Sequence, residues 1–131
     1  MDIILHIEGK KLDTEYEKAL NEYIKRTLPF ANIKKKLYKD IAKLSVQKKS
    51  YVFIINYGTD SCTSEEIAKM ITDINISGYS CIEFIISDKP MSDYETFTLS
   101  SMHLGNDIAA VCLTEQIYRA YTIINNINYH K

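Results

Sequence analysis

Residues 106–131, NDIAAVCLTEQIYRAYTIINNINYHK, constrain the rest of the chain most strongly. Ala109, Leu113, Ile117, Ala120 and Ile124 recur at helical spacing. Ile108, Val111, Cys112 and Tyr121 put apolar surface on other sides of the same helix. A helix that is apolar on several sides is buried on several sides. In a chain of 131 residues, one side is expected to pack on the body of the domain and another on a second copy. Asn125 and Asn126 suit a left-handed helix stop. The tail beyond them, Tyr129-His130-Lys131, offers an aromatic ring, an imidazole and a cation. A tail tethered to a buried helix stays near the body, so these side chains are candidates to line a site.

The preceding sequence alternates between strand and helix patterns. Ile3, Leu5 and Ile7 form a short apolar run ending at Gly9, which reads as a buried strand. Thr14 and Glu17 have capping-box spacing. Tyr16, Leu20, Tyr23, Ile24 and Leu28 then give one helix face, and Pro29 stops it. Residues 32–38 read as an edge strand or a loop, and 38–44 as a weaker helix. Residues 51–56, YVFIIN, are β-branched and aromatic, the composition of a strand. A second capping box, Thr63 and Glu66, opens a helix bearing Ile67, Ile71 and Ile74, and Gly78 ends it. CIEFII at 81–86 is another strand. A polar loop covers 87–93, and 96–99 is short and extended. This order predicts one α/β domain over residues 1–131 with a mostly parallel sheet. Ligands of such sheets bind at the carboxyl ends of strands. The loops after Asn56 and Ile86 are therefore the expected rims.

Composition narrows the functional classes. No apolar run approaches the ~20 residues of a membrane span. MDIILHIEGKKL lacks the features of a secretory signal. Cys62, Cys81 and Cys112 are odd in number and widely spaced, which suits neither a disulfide framework nor a metal site. A reduced, cytoplasmic protein is expected, with no membrane or metal partner and with Cys81 and Cys112 as small core residues. The net charge of −1 does not announce a nucleic-acid binder. Yet Lys34, Lys35, Lys36, Lys39, Lys43, Lys48 and Lys49 crowd one stretch with a single acid, Asp40. This is either a solvated face or a phosphate-facing patch.

Common catalytic signatures are absent: there is no P-loop, GxGxxG, GxSxG or HExxH. His6 lies inside a strand pattern and reads as structural. His103 precedes the long helix, and His130 in the tail is best placed for proton chemistry. Glu115 and Arg119, spaced i,i+4, read as an ordinary intrahelical pair.

LTEQIYRAYTIINNINYHK resembles the C-terminal signature of the RlmH family. These are S-adenosyl-L-methionine (AdoMet)-dependent methyltransferases of the SPOUT superfamily that act on a pseudouridine of large-subunit ribosomal RNA. The shared pattern is Glu115, Tyr118, Arg119 and Ala120 on a helix, then the terminal Tyr129, His130 and Lys131. MDIILHIEGK, NEYIKR and YVFIINYG extend the resemblance over most of the chain. It implies a three-layer α/β domain with a C-terminal trefoil knot. It further implies AdoMet bound in that knot, a homodimer with its site at the subunit interface, and ribosomal RNA or the ribosome as partner. Carried over by position, the catalytic residues are Tyr118, Arg119, Tyr129 and His130. The cofactor residues are Ile54, Ser87, Asp88, Ser100, Ser101, Met102, His103, Leu104 and Gly105.

The departures from the family pattern fall on the cofactor loops. The family turn G-G-x-x-G is here Ser87-Asp88-Lys89-Pro90-Met91. Glycine permits backbone angles and close approaches that these residues do not, and Pro90 has no N–H to donate. Ahead of the long helix, Gly105, Asn106 and Ala110 stand where the family has proline, histidine and arginine. Lys131 replaces an arginine, keeping the charge but not the planar fork. Two readings follow from the sequence. One is an active RlmH-type methyltransferase with a remodelled cofactor loop. The other is a degenerate SPOUT dimer that binds RNA or protein without methyl transfer.

Overall fold

The computed structural model describes residues 1–89 and 91–128. Five strands, β1 (Asp2–Glu8), β2 (Asn32–Tyr38), β3 (Ser50–Tyr57), β4 (Cys81–Ile86) and β5 (Glu95–Ser100), form one sheet in the order β2-β1-β4-β3-β5. Every pairing is parallel. Three helices, α1 (Thr14–Thr27), α2 (Ser64–Ile76) and α3 (Asn106–Ile124), pack together on one face, with α3 between the other two. The ambiguous stretch 32–38 is thus an edge strand. The helix expected over 38–44 shrinks to a 3₁₀ turn, Ile41–Lys43, because Asp40 is extended and caps Ala42 with its side chain.

Crossover handedness explains the two faces. The steps β1-α1-β2 and β3-α2-β4 move in the same direction across the sheet, so right-handed connections lay both helices on one face. The steps β2 to β3 and β4 to β5 move the other way. Their connections, 39–49 and 87–94, therefore cover the opposite face. The third layer is thin, a 3₁₀ turn and two loops rather than helices.

The helix side holds the main core. Ile3, Leu5, Ile7, Phe53, Phe84 and Phe97 from the strands meet Leu20, Ile67, Ile71, Leu113 and Ile117 from the helices. The several apolar sides of α3 find α1, α2 and the sheet within the same chain, and Leu113, Ile117 and Ala120 are wholly buried. Cys81 is a core residue as expected, whereas Cys112 is only half-buried. The first helix is capped one residue earlier than its sequence pattern suggests. Asp13 accepts from the Glu15 N–H, which leaves Glu17 to pair with Lys35 at 3.1 Å. The Thr63–Glu66 capping box forms in full. Asn126 is left-handed at φ 54°, closing α3.

The thin layer is pinned by a buried polar network. On the far face Ile41, Ile54 and Ile85 form a small apolar cluster. Beside it, His6 Nε2 donates to Glu83 Oε1 at 2.7 Å, and both side chains are sealed from water. The Gln47 N–H donates to Glu83 Oε2 at 2.8 Å, and the Tyr38 hydroxyl lies 2.8 Å from His6 Nδ1. Burial pushes the Glu83 carboxyl up, but hydrogen bonds, those from His6 and Gln47 among them, outweigh it and hold the group below its ordinary value. His6 is thus the structural histidine its strand position suggested.

Replacing Glu83 with Ala strips the acceptor from the buried His6 ring and from the part-buried Gln47 N–H, and is expected to cost about 3–5 kcal/mol in urea unfolding. Because the folded-state carboxyl is depressed, its stabilisation is complete above the ordinary glutamate value of about 4.3. It is lost as pH falls through the lower folded value. The wild type should therefore lose more stability than Glu83→Ala on acidification through that window.

Candidate cofactor site at the carboxyl edge of the sheet

Since all strands are parallel, the carboxyl ends of β1, β3, β4 and β5 share one edge. The loop after β4 is folded back onto the end of β1. The Ser87 hydroxyl donates to Glu8 Oε1 at 2.9 Å and accepts from the Lys89 N–H at 3.0 Å. Lys89 Nζ reaches Glu8 Oε2 at 3.1 Å and Asp40 at 3.6 Å. Partial burial pushes the Glu8 carboxyl up, but the Lys89 and Ser87 contacts prevail and hold it below its usual range.

The segment between β5 and α3 closes the other side. His103 Nε2 lies 3.0 Å from Asp88 Oδ1, both side chains being more than half exposed. The Tyr57 ring packs against His103 at 4.7 Å between centroids, and its hydroxyl donates to the Leu104 carbonyl at 3.3 Å. Burial, then the charge of Asp88, pushes the Tyr57 phenol up. The Ser100 carbonyl accepts from the Gly58 N–H, and its hydroxyl accepts from the Met102 N–H. Gly105 is the N-cap of α3. The Asn106 amide donates to the Glu8 carbonyl at 3.0 Å, clasping the start of α3 to the end of β1. Beneath this segment lies a cavity of ≈ 280 Å³ lined by Phe97, Leu99, Ser100, Leu104, Cys112 and Gln116.

Eight of the nine expected cofactor residues therefore gather at this edge: Ser87, Asp88, Ser100, Ser101, Met102, His103, Leu104 and Gly105. Ile54 does not. It lies three residues before the end of β3 and packs under the thin layer with Ile41 and Ile85. The rim of that strand is Tyr57 and Gly58, at the loop expected after Asn56. Of the expected catalytic residues, Tyr118 is nearly buried beside Tyr23, with Arg119 next to it on α3. Twelve residues of helix separate Tyr118 from Asn106, about 18 Å. One chain thus holds Tyr118 and Arg119 well away from its own Asp88–His103 rim. Tyr129 and His130, with Pro90 and Lys131, lie outside the described residues.

Sequence reasoning missed Glu8, Tyr57 and Asn106 as organisers of the edge. Glu8, just before Gly9, and Tyr57, just before Gly58, carried the available signal, since a glycine follows each strand end. Asn106 had none, because its partner is a backbone carbonyl 98 residues away. Ala110, where the family has an arginine, is wholly buried in the helix layer. No group of His, Cys, Asp and Glu among the described residues suits a metal, and no helix among them is long and apolar enough to cross a membrane.

A family model described as "Predicted SPOUT methyltransferase" matches residues 1–130. The ribosomal RNA large subunit methyltransferase H 1 of Thermoanaerobacter sp. is 34% identical, with 100% of each chain covered. Proteins named ribosomal RNA large subunit methyltransferase H from Dictyoglomus thermophilum and Ruminiclostridium cellulolyticum are 31% and 30% identical. Those alignments cover 99% and 100% of both chains.

The clasp has a measurable consequence. Asn106→Leu keeps the volume but leaves the Glu8 carbonyl without its side-chain donor. It should lower stability by about 1 kcal/mol, a fall of a few degrees in Tm.

Proposed function

This chain belongs to the SPOUT methyltransferase family, and from that premise we propose that it transfers a methyl group from AdoMet to N3 of a pseudouridine in large-subunit ribosomal RNA. The supporting observation is the convergence of four strand ends and the start of α3 on one edge, with eight of the nine candidate cofactor residues there. AdoMet supplies a sulfonium-bound, electrophilic methyl group. The edge suits such a ligand in two respects. An apolar cavity lies beneath the 101–105 segment, and an exposed carboxylate, Asp88, meets that segment at His103, where it can face a cationic tail. Backbone groups of residues 100–104 hold the adenine edge in this reading, since backbone contacts survive changes of side chain. Arranging acceptor and methyl in line is itself a large part of such a rate.

The separation of Tyr118 and Arg119 from the Asp88–His103 rim supports a site completed by a second copy. In the homodimer we propose, Tyr118, Arg119, Tyr129 and His130 of one protomer face the cofactor rim of its partner. His130 is the candidate base for the acceptor N–H, a role that typically adds ~10²–10⁴-fold. The C-terminal segment is proposed to thread as the family knot. Exposed apolar side chains near the ends of α1 and α3, Leu28, Ile124 and Ile127, offer surface for the partner.

Calorimetry and methyl transfer test the reading. Wild type should bind AdoMet and methylate large subunits lacking the modification. Asp88→Asn should weaken AdoMet binding about two- to fivefold, the scale of an exposed charge contact. No wild-type binding at millimolar AdoMet would reject the methyltransferase assignment. In sedimentation the wild type should run as a dimer. Leu28→Asp with Ile124→Asp should give a folded monomer that keeps AdoMet binding and loses methyl transfer. A wild-type monomer at micromolar concentration would reject the shared site.

A further inference from the structure

Charge is divided unevenly over this molecule. Seven of the sixteen basic residues and one of the seventeen acids lie within 34–49. That segment therefore carries +6, and the remainder, with nine basic and sixteen acidic residues, carries −7. The fold then sorts the lysines. Side chains of a strand alternate between faces, and β2 pairs Ile4 with Lys34 and His6 with Lys36. Lys34 and Lys36 thus share the far face with His6. Lys35 turns to the helix side, where Glu17 and Asn21 hold it. Lys39, Lys43, Lys48 and Lys49 ride on the thin layer that covers the far face.

These six lysines are exposed, and none makes a salt bridge among the described residues. Asp40, the one acid in their midst, is engaged by Lys89 and by the Ala42 N–H. Like charges crowded on an ordered segment repel one another. This segment is nonetheless held in place, by Ile41 in the far-face cluster and by the Gln47 N–H on buried Glu83. The surface is also continuous with the cofactor edge, because Lys89 bridges Asp40 to Glu8 on the rim. On the opposite side, α1 balances three acids with three bases, Glu15 and Glu22 being paired with Lys18 and Arg26, and α2 has three acids to one base, so no positive excess meets a polyanion there.

We propose that the far face of the sheet, through Lys34, Lys36, Lys39, Lys43, Lys48 and Lys49, is the docking surface for the phosphate backbone of ribosomal RNA. This rests on the ribosomal RNA methyltransferase reading and adds to it the surface that carries affinity and orientation. The lysines contact phosphates without reading sequence, and the cofactor edge selects the base. Steering by the basic face presents the RNA to the Asp88–His103 rim.

The test compares two triple variants, Lys34→Gln/Lys36→Gln/Lys43→Gln on the far face and Lys18→Gln/Lys25→Gln/Lys69→Gln on the helix face. Each is titrated with purified large-subunit ribosomal RNA over a series of salt concentrations. The first should bind about tenfold or more weakly near 0.1 M salt, with the slope of log K against log salt flattened by about 2–3. Its urea midpoint and AdoMet binding should match wild type. The second should retain the wild-type slope. Wild-type slope and affinity in the far-face variant, or an equal loss in the helix-face variant, would overturn the proposal. So would absence of RNA binding by wild type at low salt. Lysine-dependent RNA binding by a wild type that transfers no methyl group would uphold the docking surface and reject the methyltransferase reading alone.

Discussion

Every strand of the sheet runs the same way, so each connection must return across one of its faces. The strand order makes two right-handed returns pass over one face and two over the other. The returns that contain helices share the first face and build the core around α3. The returns too short for helices share the second and form a thin cover. Both surfaces proposed to be functional descend from this division. Parallel strands collect their carboxyl ends at one edge, where loops can hold a ligand. The short returns lay the lysines across the back.

A thin cover has little apolar surface with which to hold itself down. Ile41 with Ile54 and Ile85 is a small cluster beside the helix-side core. The buried His6–Glu83 pair supplements it through a directional contact to the Gln47 N–H. Such a pair adds little over a well-packed apolar substitute, but removing one member leaves an uncompensated buried group. Here the carboxylate also fixes the path of the cover segment, because its second oxygen accepts from that segment's backbone. The position of the lysines is thereby tied to a buried contact.

The candidate cofactor edge uses the same economy. Glu8 at the end of β1 is met by Ser87 and Lys89 from the loop after β4, and its carbonyl by Asn106 from α3. These contacts tie Ser87 and Lys89 of the glycine-free loop to the end of β1. Asn106 joins the start of α3 to the end of β1 through the Glu8 carbonyl.

The sequence by itself determined the α/β class, the buried strands and the three helices, because period-2 and helical patterns and the Thr63–Glu66 cap are local. It also determined the family, since the segment around Tyr118 and Arg119 is distinctive. Local patterns misplaced the first cap, where Thr14 and Glu17 have the right spacing but Asp13 takes the role. They left residues 32–38 undecided, because an edge strand with three consecutive lysines has no apolar alternation to show. Only the tertiary structure decided that Lys35 faces α1 while its neighbours face away, and that the middle of α3 is buried by its own chain while Ile123 and Ile124 stay exposed. Only it put Ile54 beneath the thin layer rather than on the rim and paired Asp88 with His103. Each of these depends on which strand lies beside which, and that is fixed by crossover direction and register rather than by neighbours in sequence.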